Sequence, residues 1–103
     1  MDMAAVKNLS TDTITAIGVI GAGQMGRGIA QVAAQTGYTA IVIEPYDEVI
    51  KKAQQSIERN LQLALDRGKI KKKDLPAIQS RLKFEKDLEC LDGVDFVIEA
   101  AVE

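Results

Sequence analysis

Apolar residues along this chain are grouped into short runs separated by longer segments of mixed polarity. The short runs are AIGVI (16–20), AIVI (40–43), LKF (82–84) and DFVIEA (95–100). Their length and their content of Ile and Val are typical of strands buried in a parallel sheet. They predict four strands.

The segment after the first run has the spacing of a helix. Apolar residues recur there until Gly37, which ends the helix, and they are Met25, Ile29, Val32 and Ala33. A neighbouring face carries only small residues, namely Gly26, Ala30 and Ala34. Small side chains on that face would let the helix lie close to the sheet.

A second, longer helix is predicted from Asp47, its expected N-cap, to Gly68. Its apolar stripe consists of Ile50, Ala53, Ile57, Leu61, Ala64 and Leu65. Asp74 and Pro76 indicate a further short helix, and residues 87–93 indicate a helical turn.

The resulting order is β-α-β-α-(α)-β-β. Buried strands that alternate with amphipathic helices predict an α/β fold, a doubly wound parallel sheet with right-handed crossovers. The sequence ends a few residues after the fourth strand, whose edge a complete domain would usually cover. We therefore expect an incomplete sheet of about four strands, part of a longer protein.

Three glycines follow the first predicted strand in the pattern G-x-G-x-x-G. Gly21 would permit the tight turn, Gly23 would let a pyrophosphate approach the backbone, and Gly26 would let the helix pack closely on the strand. Free N–H groups and the helix dipole at this helix start favour a bound anion. The pattern predicts a dinucleotide site; the P-loop alternative lacks its G-K-[ST].

An acidic residue supports this interpretation. Glu44 ends the second predicted strand, 23 residues after Gly21, close to the expected spacing of about 20. A carboxylate there would accept hydrogen bonds from ribose hydroxyls and repel a 2′-phosphate. Because Pro45 rather than an arginine follows, NAD is favoured over NADP.

Three further features have plainer interpretations. Arg27 is interpreted as a solvent-facing helix residue, with a phosphate contact as the alternative, and Cys90 as a small buried apolar residue. The basic segment, Arg67, Lys69, Lys71, Lys72 and Lys73, is interpreted as solvated charge near a helix C-terminus, with a ligand phosphate contact as the alternative.

Composition narrows the function. The 103 residues include no histidine, so the commonest acid–base side chain near neutral pH is missing. The net charge of −2 gives no general attraction to nucleic acid, and no apolar run has the length of a membrane span. Residues 1–15 are expected to form a flexible lead-in without signal-peptide features, and we expect a cytoplasmic protein.

The quoted residues are similar to a known family. The runs IGVIGAGQMGRGIAQVAAQTGY and DFVIEAAVE, with the acid between them, resemble the Rossmann-type NAD-binding domain of the L-3-hydroxyacyl-CoA dehydrogenases, 3-hydroxybutyryl-CoA dehydrogenases included. The resemblance covers residues 16–103. It implies NAD as cofactor, an acyl-CoA substrate oxidised at its 3-hydroxyl, and a homodimer for the full-length enzyme.

The resemblance also implies site residues. The glycine-loop contacts correspond to Gly21, Ala22, Gly23, Gln24, Met25 and Gly26, and the ribose-binding acid, more often Asp, to Glu44. Glu103 corresponds to the glutamate near the cofactor, and Ala100 of the same ending is grouped with it. Coenzyme A contacts fall on Asn60, more often Ser, and Arg67, often Lys.

The chain departs from the family at several points. Pro45 stands where the family usually has a backbone donor. The catalytic His–Glu pair, the substrate-positioning serine and asparagine, and the C-terminal helical domain have no counterpart here. By resemblance, the chain holds the cofactor and part of coenzyme A and is inactive alone. Two other functions stay open: a nucleotide- or redox-sensing module without catalysis, and an NAD(P)-dependent 3-hydroxyacid dehydrogenase.

Overall fold

Four parallel strands form one sheet. The computed structural model describes residues 15–101. The strands are β1 (Ala16–Ile20), β2 (Thr39–Ile43), β3 (Leu82–Glu85) and β4 (Phe96–Glu99). Their order across the sheet is β3-β2-β1-β4, and all three pairings are parallel. The predicted order of elements and the parallel α/β sheet are confirmed.

Helices and turns connect the strands as predicted. They are α1 (Gln24–Thr36), α2 (Asp47–Asp66) and α3 (Leu75–Ser80), with 3-10 turns at Lys72–Asp74 and Leu88–Leu91. Gly37 has a φ of 117° and donates to the carbonyls of Ala33 and Ala34, which ends α1 as its sequence predicts. No helix of the described residues is long and apolar enough to cross a membrane.

The core lies between the centre of the sheet and α1. Val19 of β1 and Val42 of β2 are completely buried. The predicted small face of α1 is buried as expected: Gly26 and Ala30 lie against these valines, and Ala34 packs with Ile57, Leu61 and Ile78. The stripe of α2 is confirmed through its buried residues Ala53, Ile57 and Leu61.

The larger apolar face predicted for α1 is buried only in part: Ala33 is buried and Ile29 packs against the core. Met25 is 51% exposed and Val32 is 63% exposed. The helix packs through its small residues, which permit the closest approach to the sheet, and this turns the longer side chains toward solvent. The apolar spacing was therefore helical, but only Ile29 and Ala33 of its residues lie on the inner face.

Two other local predictions are wrong. Asp47 is the first helical residue of α2 and makes no side-chain cap; Tyr46 occupies the N-cap position. Cys90 is exposed rather than buried. The 3-10 turn points Leu91 toward the sheet instead, so close to Gly18 that a Cβ there would lie 2.6 Å from Leu91 Cδ2.

The β4 edge of the sheet is open to solvent among the described residues. β4 is largely exposed, with Phe96 and Val97 about half accessible to solvent. At its start, Thr15 donates its N–H to Asp95 Oδ2 at 2.8 Å and accepts from the N–H of Thr39 at 2.9 Å. Residues 1–14 of the predicted lead-in lie outside the described residues.

Candidate dinucleotide site

A cleft lies along the carboxyl ends of the strands. Its walls come from the loop after β1, the loop after β2, the loop after β3 and the end of β4. In open parallel sheets this edge binds ligands where the strand order reverses, and here β1 has β2 on one side and β4 on the other. Six of the predicted site residues line the cleft: Gly21, Gly23, Gln24, Met25, Glu44 and Ala100.

The glycine loop is built around two close approaches. Gly21 has a φ of 103°, and a Cβ there would lie 2.8 Å from the backbone of Ala101 on the neighbouring strand end. A Cβ on Gly26 would overlap the carbonyl oxygen of Gly21. Both positions therefore exclude larger residues, as the spacing of the glycines predicts.

Gly23 has a different environment. An added Cβ there would meet nothing within 4 Å, and its φ of −70° is ordinary. The glycine leaves space in front of the backbone at the start of α1, in the cleft. This is the space that a pyrophosphate needs.

The start of α1 is available to an anion. Among the described residues, no side chain caps this end and no acidic residue lies in the first turn. Arg27 N–H is the first to find a helical partner, the carbonyl of Gly23 at 2.9 Å. The preceding N–H groups have no helical acceptor, and the helix dipole favours negative charge beside them.

Glu44 is held by backbone donors on both sides. It is 8% exposed, and its Oε1 accepts the N–H of Ala22 at 3.0 Å. Its Oε2 lies 3.4 Å from the N–H of Tyr46. An ionised carboxylate has about four acceptor sites, so two donors leave capacity for ligand hydroxyl groups.

These contacts explain the roles of the neighbours of Glu44. Ala22 is fully buried behind the loop and links it to Glu44 rather than facing the cleft. Pro45 cannot donate a backbone hydrogen bond, but the next residue, Tyr46, directs its N–H to Glu44.

The cleft contains residues that the motifs did not indicate: Tyr46, Val49, Lys86, Leu88 and Ala101. Lys86 Nζ lies 2.6 Å from Asp47 Oδ1, and both side chains are mostly exposed. Lys86 directly follows β3, and the position of strand ends in a parallel sheet is the signal that could have identified it.

The other predicted contacts lie elsewhere. Asn60 on α2 is exposed, with its Nδ2 3.4 Å from Gln31 Oε1 on α1, and Arg67 follows α2 on the surface. Neither lines the cleft, and Arg27 does not line it either. Glu103 lies outside the described residues. Within residues 15–101, no cluster of three or more His, Cys, Asp or Glu could hold a metal ion.

The fold and this cleft define the class of protein. A parallel α/β sheet, a glycine loop that opens a helix, and an acid at the end of the second strand together make a dinucleotide-binding domain. The sequence pattern of the family described as "3-hydroxyacyl-CoA dehydrogenase, NAD binding domain" matches residues 16–103. The chain belongs to this family, whose cofactor is NAD.

Individual relatives agree with this assignment. A 3-hydroxybutyryl-CoA dehydrogenase of Mycobacterium tuberculosis is 39% identical over 93 residues, which are 90% of this chain and 32% of that protein. A probable 3-hydroxybutyryl-CoA dehydrogenase of Deinococcus radiodurans is 42% identical over 87 residues, 84% of this chain and 31% of that protein.

A solved structure extends the similarity to the fold. The (S)-3-hydroxybutyryl-CoA dehydrogenase of Ralstonia eutropha superposes with a TM-score of 0.83 at 31% identity, over 88% of this chain and 32% of that one. The chain thus spans about a third of the length of the relatives it matches.

Proposed function

We propose that this chain binds NAD in the carboxyl-end cleft and serves as the cofactor-binding part of a 3-hydroxyacyl-CoA dehydrogenase. The observation that carries the proposal is the open backbone at Gly23, placed between the start of α1 and the Glu44 carboxylate. One wall therefore suits a pyrophosphate and the other suits ribose hydroxyl groups.

Each predicted contact has a distinct part in this proposal. The loop of Gly21, Gly23 and Gln24 would lie against the pyrophosphate, with the free backbone N–H groups at the start of α1 as donors; the N–H of Gly21 is held by the carbonyl of Ile43. Glu44 would accept hydrogen bonds from the adenosine ribose. Ala100, at the end of β4, would face the cofactor on the far side of β1.

Bound NAD supplies a hydride acceptor for a hydroxyl-bearing carbon. In the proposed whole enzyme that carbon is C3 of an L-3-hydroxyacyl-CoA, which becomes the 3-keto product. The relatives named 3-hydroxybutyryl-CoA dehydrogenases support a short acyl chain.

Asn60 and Arg67 are proposed as coenzyme A contacts outside the NAD cleft. Asn60 lies in the last two turns of α2 and Arg67 directly follows its last residue, so the two are about 10 Å apart along the helix axis. The exposed basic segment that follows α2 supplies further positive charge for the coenzyme's phosphates. A titration with coenzyme A, with and without Arg67→Gln, tests this part of the proposal.

The NAD proposal is tested by NADH fluorescence titration of three variants. Gly23→Val places methyl groups in the space expected for the pyrophosphate and should nearly abolish binding, while circular dichroism stays unchanged because nothing lies within 4 Å. Glu44→Ala removes charge-assisted hydrogen bonds and should weaken binding about 10- to 100-fold.

Gly28→Val is the matched control. Gly28 lies in α1, an added Cβ would meet nothing within 4 Å, and the residue does not line the cleft. Its titration curve should match that of the wild type. Unchanged NADH curves for both Gly23→Val and Glu44→Ala would remove the assignment of this cleft.

A further inference from the structure

Lys86 stands beside the acid that is proposed to bind ribose. In the register of β2 and β3, Ile43 pairs with Glu85, and the N–H of Glu44 donates to the carbonyl of Glu85 at 2.9 Å. Glu44 directly follows β2, and Lys86 directly follows β3. Because paired strands lie about 4.8 Å apart, the two side chains start from neighbouring positions at the same edge of the cleft.

Lys86 is also the one cation on the described walls of this cleft. A lysine beside the ribose-binding acid would ordinarily attract a phosphate on that ribose. Such a phosphate is the group that distinguishes NADP from NAD, and a phosphate monoester carries about −1.5 to −2 charges at pH 7. An unpaired Lys86 would therefore oppose the selectivity for NAD over NADP that Glu44 provides.

Asp47 engages this cation. Its Oδ1 lies 2.6 Å from Lys86 Nζ, and this pair connects the start of α2 to the end of β3. A 2′-phosphate in the cleft would meet the carboxylate of Glu44 and a lysine whose charge is already compensated by Asp47. Asp47 makes no side-chain cap to its own helix, so its main contact is Lys86.

We propose that Asp47 is a specificity-determining residue that, by pairing with Lys86, keeps this cation from accepting the 2′-phosphate of NADP. The inference rests on the proposed NAD site. It extends the selectivity beyond Glu44, because exclusion of NADP depends on both a carboxylate beside the ribose and a second one that occupies the neighbouring lysine.

The test compares NADH and NADPH binding in Asp47→Asn. The asparagine amide is neutral and does not compensate the charge of Lys86, so the lysine becomes available to a phosphate. We expect NADPH to bind about 5- to 10-fold more tightly than to the wild type, with NADH changed less than about 2-fold. The gain should shrink at high salt, because the groups are exposed.

Two controls separate pairing from net charge. Glu48→Gln makes the same charge change in the same first turn of α2, on an exposed residue outside the cleft walls, and should leave the NADPH-to-NADH ratio unchanged. Lys86→Gln should remove the gain, so Asp47→Asn in a Lys86→Gln background should have little effect. A full gain in that background would overturn the proposal, because mere loss of a negative charge would then explain it.

The outcomes distinguish this inference from the proposed function. If the wild-type chain binds neither dinucleotide, both fail. If it binds NADH but Asp47→Asn and Asp47→Ser leave the NADPH-to-NADH ratio unchanged, the role of Asp47 fails and the NAD site stands. Circular dichroism confirms folding of each variant, and the serine variant, which suits a helix start, serves if the asparagine variant is unstable.

Discussion

Two glycines of α1 that lie two residues apart have opposite structural requirements. Gly26 faces the preceding loop, where a Cβ would overlap the carbonyl oxygen of Gly21. Gly28 faces open space, and a Cβ would meet nothing within 4 Å. The sequence GRG alone cannot separate the two, because the difference depends on which face of the helix meets the loop.

This contrast gives a residue-scale prediction. Gly26→Ala should destabilise the fold by about 1–3 kcal/mol, because the loop must move to admit a methyl group. Gly28→Ala should stabilise it by about 0.5–1 kcal/mol, since alanine is the better helix former and no contact is disturbed. Urea unfolding of both variants measures the difference. Equal effects in the same direction would contradict the packing described for α1.

At the scale of elements, one exposed carboxylate joins the starts of two neighbouring strands. Asp95 Oδ2, just before β4, accepts the N–H groups of Thr15 and Ala16 at 2.8 and 2.9 Å. The N–H of Asp95 in turn donates to the carbonyl of Ala16. The hydrogen bonds from Ala16 and then Thr15 lower the pKa of Asp95 below its ordinary value of 3.8.

The direction of this shift predicts a pH dependence. A carboxylate whose pKa is lower in the folded state stabilises the fold fully above its unfolded pKa and loses that effect as the pH falls through the folded value. Asp95→Asn should therefore lower the urea midpoint at pH 6, and the difference from wild type should narrow at pH 3. Asp92→Asn, the same change at an exposed residue nearby, serves as the control.

The elements show where sequence patterns succeed. Gly37 marks the end of α1, and the apolar runs mark the strands. Both signals are local in the sequence, and those predictions were confirmed. The exposure of Met25 and Val32 on α1 and the exposure of Cys90 were not predictable in this way. They depend on tertiary contacts, the close approach of small residues to the sheet and the insertion of Leu91 against Gly18.

At the scale of the whole molecule, the cleft is a product of strand order. The glycine spacing and Glu44 indicated two walls, because the loop after β1 and the end of β2 follow a recurring pattern. Lys86 and Leu88 reach the cleft only because β3 pairs with β2. That pairing joins residues about 40 positions apart, and no local motif in the sequence records it.

The whole 103-residue chain should bind NADH but oxidise no 3-hydroxybutyryl-CoA. The sequence contains no histidine to accept the hydroxyl proton. The titratable groups on the described cleft walls are Glu44, Lys86 and the exposed Tyr46; Glu44 is engaged by backbone N–H groups and Lys86 by Asp47. The measurement is NADH production at 340 nm, with the Mycobacterium tuberculosis relative as positive control. Turnover by this chain alone would refute the prediction.

The hydrogen bond from Ala22 to Glu44 has a consequence for binding thermodynamics. It fixes the carboxylate rotamer without any ligand, and it connects the acid after β2 to the loop after β1. A cofactor that docks there meets a preorganised acceptor, so little side-chain entropy remains to be lost on association. In Glu44→Asp the shorter side chain would lose the hydrogen bond from Ala22 and would be mobile in the free protein. Binding should then weaken even though the charge is retained.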